Sequence, residues 1–584
     1  MIYRIVVFVL SLAVLWATFG LVPTGGHDDD ATLQLMLRAG RTPELSSARG
    51  AGTPDAGPGS QLFYFTADDN AECVRSVPDV TGDGLDEIVV GLGWFQNNEN
   101  LYCLDGSSTG AATVVWKLET MAGLSGGYFY GDQCLVPISD VDANGYANLL
   151  AGTAGGGRTA YNFDALDGSS IWMYDLYTTG SAGWIYSLCE LNDITGDTVP
   201  EAAFGAGSDS DSVYLVDGSS TGAPATVLWQ YHAGDAVYSV RSIGDVNNDG
   251  AFDVLAAVGD NIDKIVCLDG GTTSPTGQEL WDYAPGTSIY ACGVMQDITQ
   301  DAVREALAVL WTSDGSAVRC LDGATGALIW SSTEVGSYGM AVDTLFDVTG
   351  DEISDVVVAS WENAVTVLDG TDGTLVWKTV VGTLNGGDVW TARSIDDLNG
   401  DGRQDVIAGS FDYYVYAMDG DSGEVFWAFD TGNRLYSVYP VGDLNNDGRP
   451  EVVAGTQDTN NNILVHVLEG DAGIPWPGLT LTSTGVLGSD LEIEITGYAG
   501  WTALPLVSQA TGTVPVPPFG DMGLAQPVRL LPRGPIPVDG AYVLSTTIPN
   551  NPAFSGRTFY LQGLVYNTPP LEGSFTDVES LDIL

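Results

Sequence analysis

Lysine is nearly missing from this 584-residue chain, which has only Lys117, Lys264 and Lys378. With 19 Lys+Arg against 76 Asp+Glu, the formal net charge is −57. A field of that sign repels a nucleic-acid backbone and an anionic lipid surface alike, so neither is expected as a partner. Histidine is equally scarce, at His27, His232 and His466. These lie far apart in the repeat order described below, which suits ordinary hydrogen-bonded side chains and not a catalytic set. The seven cysteines (Cys73, Cys103, Cys134, Cys189, Cys267, Cys292 and Cys320) form no C-x-x-C and no adjacent pair. Zinc and dithiol redox chemistry therefore have no support. The cysteines read as small apolar strand residues, with one or more disulfides left open for an oxidising compartment. G-x-S-x-G, H-E-x-x-H, Walker and dinucleotide-binding motifs are absent too.

What remains is ample for a core. Hydrophobic residues make up 45% and aromatics 10% of the chain, so its charge does not make it disordered. Glycine reaches 75 residues while proline stays at 26, which fits an all-β protein rich in tight turns. Residues 5–22, IVVFVLSLAVLWATFGLV, follow Arg4 and read as an export signal, either a cleaved signal peptide or a retained N-terminal anchor. Residues 1–25 are assigned to that segment, and the Gly/Ala/Asp/Arg/Ser-rich residues 26–58 to a flexible linker.

From residue 59 to 476 the chain repeats. An acidic nonapeptide starts at Asp79, Asp140, Asp193, Asp245, Asp297, Asp347, Asp397 and Asp443. A small apolar run follows each copy. An LDG-like turn comes next, at Asp105, Asp167, Asp217, Asp269, Asp322, Asp369, Asp419 and Glu469. A tryptophan closes each copy: Trp116, Trp172, Trp229, Trp281, Trp330, Trp377, Trp427 and Trp476. Each unit reads as four short strands, for example 238–244, 253–259, 264–270 and 279–283. A meander of that size cannot bury both faces alone, whereas eight packed radially can. The expected architecture is an eight-bladed β-propeller with each tryptophan wedged between neighbouring blades. Residues 62–79 align without gaps on 426–443, placing Phe63 at a tryptophan position with no complete blade before it. Residues 61–66 are therefore expected to supply the last blade's outermost strand, because GIPWPG (473–478) carries two prolines that cannot donate to a ladder.

The nonapeptides follow D-x-[NDT]-x-D-G-x-x-[DE]. Oxygens at positions 1, 3, 5 and 9 suit calcium, a hard cation with six to eight ligands. The best matches are Asp245, Asn247, Asp249, Asp253; Asp397, Asn399, Asp401, Asp405; and Asp443, Asn445, Asp447, Glu451. Asp79, Thr81, Asp83, Glu87 and Asp140, Asp142, Asn144, Asn148 follow them. In the sixth loop (Asp347, Thr349, Asp351, Asp355) Glu352 stands where glycine is expected. The third and fifth loops have Thr198 and Ala302 there, so they are the weakest candidates. This repeat resembles the FG-GAP family, the calcium-loop propellers also found in integrin α-subunits. Its LDG…W half is similar to quinoprotein-like blades, but the adjacent cysteine pair typical of quinoprotein dehydrogenases is missing, so no quinone cofactor is carried over. The FG-GAP resemblance implies several bound Ca2+ ions.

Two further patterns bear on function. Arg75, Arg241 and Arg393 stand four residues before the loop aspartate in three blades. They mark either an anion-binding surface or ion pairs with acids of neighbouring blades, and ion pairs are expected. Tyr186, Tyr238, Tyr290, Trp390 and Tyr436 stand seven before it, at the start of the innermost strand and opposite the calcium loops. Trp94, Trp311 and Trp361, just after the second strand, are candidates for a glycan or protein docking surface on that same face. Residues 477–584 show alternating runs such as LEIEITG (491–497) and suggest a small C-terminal β-sandwich.

The function expected is an exported, non-catalytic calcium propeller for adhesion or ligand binding at the cell surface. The alternatives are a carbohydrate-active enzyme on the same scaffold, which some polysaccharide lyases resemble, and a structural surface or fibre component.

Overall fold

The structure is a computed structural model and describes residues 59–66, 70–93, 99–120, 127–155, 157–179, 183–207, 209–259, 261–312, 315–381, 387–457, 463–471, 479–496, 501–516, 521–536, 541–567, 572–576 and 578–584. The signal and linker segments, Trp94 and Trp476 lie outside these residues. Contacts divide the chain into two units, one comprising Arg49–Asn399 with Arg403–Gly473 and the other built on Ile474–Leu584.

Among the described residues the larger unit contains seven four-stranded antiparallel sheets and, last in repeat order, one five-stranded sheet, with a two-stranded pair besides. In the fourth the strands are Val237–Gly244, Asp253–Val258, Lys264–Leu268 and Glu279–Tyr283, here called a to d. After its first residue, Asp253, strand b is an unbroken apolar or small run, and all six of its residues are buried. That is how a strand reads when both faces are covered. Strand d alternates, burying Trp281 and exposing Glu279 and Asp282. The a strand of each sheet packs against the a strands of its two neighbours, in cyclic order from the first sheet to the eighth and back to the first. This is a β-propeller.

The repeated tryptophans bridge adjacent sheets. The indole N–H of Trp281 donates to the Gly323 carbonyl at 2.7 Å, and Trp330 to Gly370 at 2.9 Å. Trp116, Trp229, Trp377 and Trp427 make the same bond to Ala165, Gly270, Gly420 and Gly470. Each of these six buries its ring and still satisfies its one donor, whereas Trp172 is fully buried with its indole N–H unpartnered. The second sheet corrects the motif reading. There Asp164 and Ala165 take the Asp-Gly position, and Asp167-Gly168 forms the following turn.

The eighth sheet takes its fourth strand from the start of the unit, and Gly110–Ala111 adds a short parallel strand outside it. Gln61–Thr66 pairs antiparallel with Ile463–Leu468, setting Phe63 opposite Val467. Gly59 donates to the Glu469 carbonyl, and Glu469 donates to that of Ser60. Gly59 has φ +59°, and a Cβ there would lie 2.7 Å from the Trp427 ring, so a side chain has no room.

The three arginines meet a segment with no counterpart in the other repeats. Gly127–Tyr128 pairs with Ala154–Gly155, and residues 131–134 then run between the a strands. Asp132 accepts from Arg75 at 3.1 Å, and from Arg393 and Ser437. Gln133 accepts from Arg241 at 2.9 Å and from Ser187 and Ser239. The arginines thus form ion pairs and hydrogen bonds, but with one inserted segment and not with repeat acids of adjacent blades. Burial alone would raise the Asp132 carboxyl. The Arg393 and Arg75 guanidiniums overcome that and hold it below the usual carboxylate range. Asp132→Ala would leave buried Arg75 beside Arg393 without their shared counter-charge. It is expected to cost about 3–5 kcal/mol in a urea unfolding titration, and a change below about 0.5 kcal/mol would remove this segment from the account of stability.

In the smaller unit Leu479–Ser483, Asp490–Thr496 and Ala541–Thr547 form one sheet. Thr502–Ser508 and Thr558–Asn567 lead a second. Leu491, Ile493 and Ile495 alternate inward to join Ala503, Leu561 and Val565 in one core.

Candidate functional site

The acidic loops sit at the ends of the a strands. At position 1 both carboxylate oxygens accept backbone N–H groups of their own loop, as in Asp245, which takes Asp249 N at 3.0 Å and Gly250 N at 2.9 Å. Position 9 is buried and links the loop to the rest of its sheet. Asp253 accepts from Val246 N on one oxygen and Gly270 N on the other, and Asp355 and Asp405 repeat this pattern. Asn148 fits the same position because its amide oxygen takes Val141 N. Backbone geometry does not separate strong from weak motifs. Thr198, Ala302 and Glu352 hold φ of 78°, 74° and 72°, in the left-handed region where Gly250 and Gly448 sit at 95°. In these loops the amides at positions 4 to 6 bond the first aspartate, and those contacts hold the strained residues in place.

In two loops three carboxylates converge. Oxygens of Asp79, Asp83 and Glu87 lie within 4.8 Å of one another, as do those of Asp443, Asp447 and Glu451. Glu451 is fully buried, and its Oε1 has no hydrogen-bond partner. Burial pushes its carboxyl up to about 9, with Glu469, Asp447 and Asp443 adding to the rise. The acid of the following Asp-Gly turn also belongs to this cluster. Asn445 donates to Glu469 at 2.6 Å and Asn399 to Asp419 at 3.1 Å. Asp269 has a buried Oδ1 without a partner, and after burial the Asp249 charge raises its carboxyl most. Sequence reasoning left these acids out of the loops, although their recurrence about twenty residues downstream was the available signal.

The opposite face carries a continuous line of aromatic rings. From Tyr128 and Tyr130 contacts run to Trp184 and Tyr186, then to Tyr238 and Tyr290. They continue through Trp311, Tyr338 and Trp361 to Trp390, Phe411 and Tyr436. Centroid separations include 4.9 Å for the stacked Tyr238–Tyr290 pair and 4.5 Å for Trp311–Trp361. All twelve rings are half-buried, so each keeps surface toward solvent.

Three repeat positions build all of this line but Tyr128 and Tyr130, which come from the inserted segment of the second repeat: nine and seven residues before the loop aspartate, and fourteen after its start. The expected docking residues Trp311 and Trp361 occupy the last of these, joined by Phe411 in the seventh repeat. In the first repeat that position is Gly93, one residue before Trp94, so Trp94 is out of register with the other two. Tyr186, Tyr238, Tyr290, Trp390 and Tyr436 pack ring to ring between neighbouring sheets and belong to the same surface.

The first sheet interrupts the aromatic line. Its residue seven before the loop is Glu72, which is 3% exposed. A Cβ on Gly93 would lie 2.3 Å from the Glu72 Cγ, so the glycine makes the space this side chain fills. Asn70 donates to Glu72 at 3.3 Å. Burial, with a contribution from the Glu72 charge, raises the hydroxyls of Tyr128, Tyr130 and Tyr436, the last to about 12.

Residues 355–468 match the family of lambda-carrageenase beta-propeller domains. No curated protein matches the chain. Among solved structures, Sqt1 of Saccharomyces cerevisiae is 13% identical over 70% of this chain and 99% of its own, with a TM-score of 0.50. The C-terminal WD40 domain of Sif2 is 13% identical over 71% and 98%, with a TM-score of 0.48. BamB from Moraxella catarrhalis is 14% identical over 73% and 97%, with a TM-score of 0.38. At these identities the likeness concerns the fold alone.

Proposed function

We propose that this chain is an exported, eight-bladed calcium-binding propeller of the FG-GAP type that holds a polysaccharide across its aromatic face, followed by a small β-sandwich. The aromatic line carries the reading. Sugar rings present C–H faces that stack on aromatic planes, and a row of twelve half-buried rings suits a long repetitive ligand better than a compact one. The match of residues 355–468 to a carrageenase propeller domain supports a carbohydrate partner. Residues 5–22 support export, where such a partner is met.

Calcium fits the two convergent loops. Asp79, Asp83 and Glu87 would hold one ion, and Asp443, Asp447 and Glu451 with Glu469 another. Glu451 Oε1 is a buried acceptor still without a donor. The ion would supply counter-charge to the crowded carboxylates, and the binding face lies at the other end of the a strands.

The triple variant Trp311→Ala, Trp361→Ala, Tyr338→Ala is expected to lower glycan affinity at least about 100-fold, at roughly 1–3 kcal/mol for each ring lost, while the far-UV spectrum and melting curve stay propeller-like. Affinity electrophoresis against a panel of acidic and neutral polysaccharides measures this. Unaltered retardation of the variant would remove the aromatic face from the account. The same match to a carrageenase domain favours glycan cleavage as the second reading. New reducing ends or unsaturated products in that panel would establish it over simple binding.

A further inference from the structure

Resting on the reading that the chain is exported, we infer that Cys73 and Cys134 form a disulfide that staples the first sheet of the propeller to the second. Six residues before the loop aspartate the eight repeats carry Cys73, Cys134, Ser187, Ser239, Ala291, Ala341, Thr391 and Ser437. The two cysteines thus hold the same place in consecutive sheets, where the other six have a small or hydroxyl-bearing residue. This place faces the next sheet around the ring. Ser187 of the third sheet accepts from Val240 N of the fourth at 3.1 Å, and Ser437 of the eighth accepts from Val74 N of the first at 3.2 Å. Cys73 reaches the second sheet in the same sense. Its Sγ donates to the Asp132 carbonyl at 3.1 Å, and its thiol and that of Cys134 hydrogen-bond to each other. Cys134, which closes the inserted segment, is fixed to its own sheet because its carbonyl accepts Gly152 N at 2.8 Å. Both side chains are fully buried in one core with Leu101, Phe129 and Leu149. Elsewhere the thiols meet other groups: Cys292 the Ser239 hydroxyl at 3.4 Å, and Cys320 the Met295 sulfur at 3.8 Å.

All seven cysteines are free thiols in the structure, which is the reduced form. Burial works against a Cys73 thiolate, yet the hydrogen bond from Cys134 and the Arg75 charge bring that thiol below its ordinary value. Burial and the same bond raise Cys134 well above it. Cys73 is therefore the attacking sulfur. Its thiolate displaces one half of a disulfide oxidant, such as oxidised glutathione, forming a mixed disulfide. Cys134 then gives up its proton and attacks the Cys73 sulfur, releasing the other half. One S–S bond forms as one breaks, and the oxidant leaves as two thiols carrying the two electrons and two protons. Since neither side chain reaches solvent, the exchange takes place while the inserted segment is still closing on the first sheet. The bond then holds Asp132 where Arg75 and Arg393 meet it.

The test unfolds the full chain in reductant, refolds it with reduced and oxidised glutathione, alkylates it in denaturant and maps it by mass spectrometry. Of the seven cysteines five should be alkylated, and the peptides carrying Cys73 and Cys134 should be linked until reduced. The bond closes a loop of about 60 residues, so the oxidised chain is expected to melt about 5 °C above the same chain in dithiothreitol. The double variant Cys73→Ser, Cys134→Ser has the residue type that the third and fourth sheets carry at this place. It should melt at one temperature with and without reductant, and the map of the native chain decides the pairing even if this variant fails to fold. Seven alkylated cysteines, a bond mapped to any other pair, or a mapped bond with no effect on melting would overturn the inference. The same map made on chain recovered from the exported fraction of a secreting host separates the two premises. A bond formed in glutathione but absent from that fraction would keep the pair and overturn the export reading alone.

Discussion

Removing residues 59–66 is expected to abolish cooperative unfolding of the propeller, although these residues lie apart in sequence from the sheet they complete. Gln61–Thr66 covers the edge of Ile463–Leu468. Phe63 is fully buried, packed with Val74, Ile88 and Val90 of the first sheet and with Val465 and Val467 of the eighth. It stands where the other sheets carry tryptophan, so it joins the last sheet to the first. Phe63→Ala alone should cost about 3–5 kcal/mol, the range for a large buried side chain lost to a cavity. The deletion also frees a row of strand-edge amides and carbonyls and bares an apolar seam, which invites pairing between chains. In a ring this failure is not local, because each sheet is stabilised by two neighbours and opening one contact leaves two exposed faces. Thermal melting by circular dichroism and limited proteolysis are the measurements. A deletion variant melting within about 2 °C of the native chain would show that the ring holds without its clasp.

That clasp was legible because it rests on the repeat: the gapless alignment of 62–79 on 426–443 carried both the strand and the Phe63 position. The b strands and the bridging tryptophans were readable for the same reason, since eight copies average out local irregularity. What escaped was whatever a single copy does differently. Asp132 and Gln133 lie in an insertion with no counterpart, and their partners Arg75, Arg241, Arg393 and Ser437 are 57 to 305 residues away. In the second repeat the motif Asp167-Gly168 resembled the expected turn so closely that Asp164, the residue in that place, went unnoticed. The aromatic face was seen only in part, because its three positions belong to different strands, and register, not local pattern, brings them together. Counting from the loop places Phe411 with Trp311 and Trp361 and puts Gly93, not Trp94, in the first sheet. Glu72 was invisible for the opposite reason: a lone acid in a strand of a chain with 76 acids carries no signal until its neighbours are known.

Between pH 7 and 8 the melting temperature should fall in excess EGTA and stay level or rise in about 2 mM calcium, so the gap between the two curves widens with pH. The direction follows from Glu451. Burial pushes its carboxyl from an ordinary 4.5 up to about 9, so across this window the folded chain retains a proton that the unfolded chain has released. Stability from such a group is complete below the ordinary value and is lost as pH rises through the folded one. Asp253 and Asp355, raised by burial to about 6, act in the same sense but finish lower. His466, held down to about 4 by burial, destabilises only as pH falls below its ordinary 6.5. Burial also raises the thiols of Cys103, Cys189, Cys267 and Cys320 above their ordinary 9.0, so they add to the fall only as pH nears 9, and the span from pH 7 to 8 isolates the buried acid of the eighth loop. A divalent cation changes the balance by favouring the ionised form, so its binding strengthens as the proton leaves. A site with Kd on the order of 0.1 mM gains roughly 1.8 kcal/mol in about 2 mM calcium. Two convergent loops would then supply roughly 3.6 kcal/mol, a large share of the net stability of a typical domain. Glu451→Gln should flatten the pH dependence in EGTA and remove most of the calcium response of the eighth loop, leaving that of the first. Superimposable EGTA and calcium curves at pH 8 would mean that these loops are hydrogen-bonded turns whose acids serve the backbone alone.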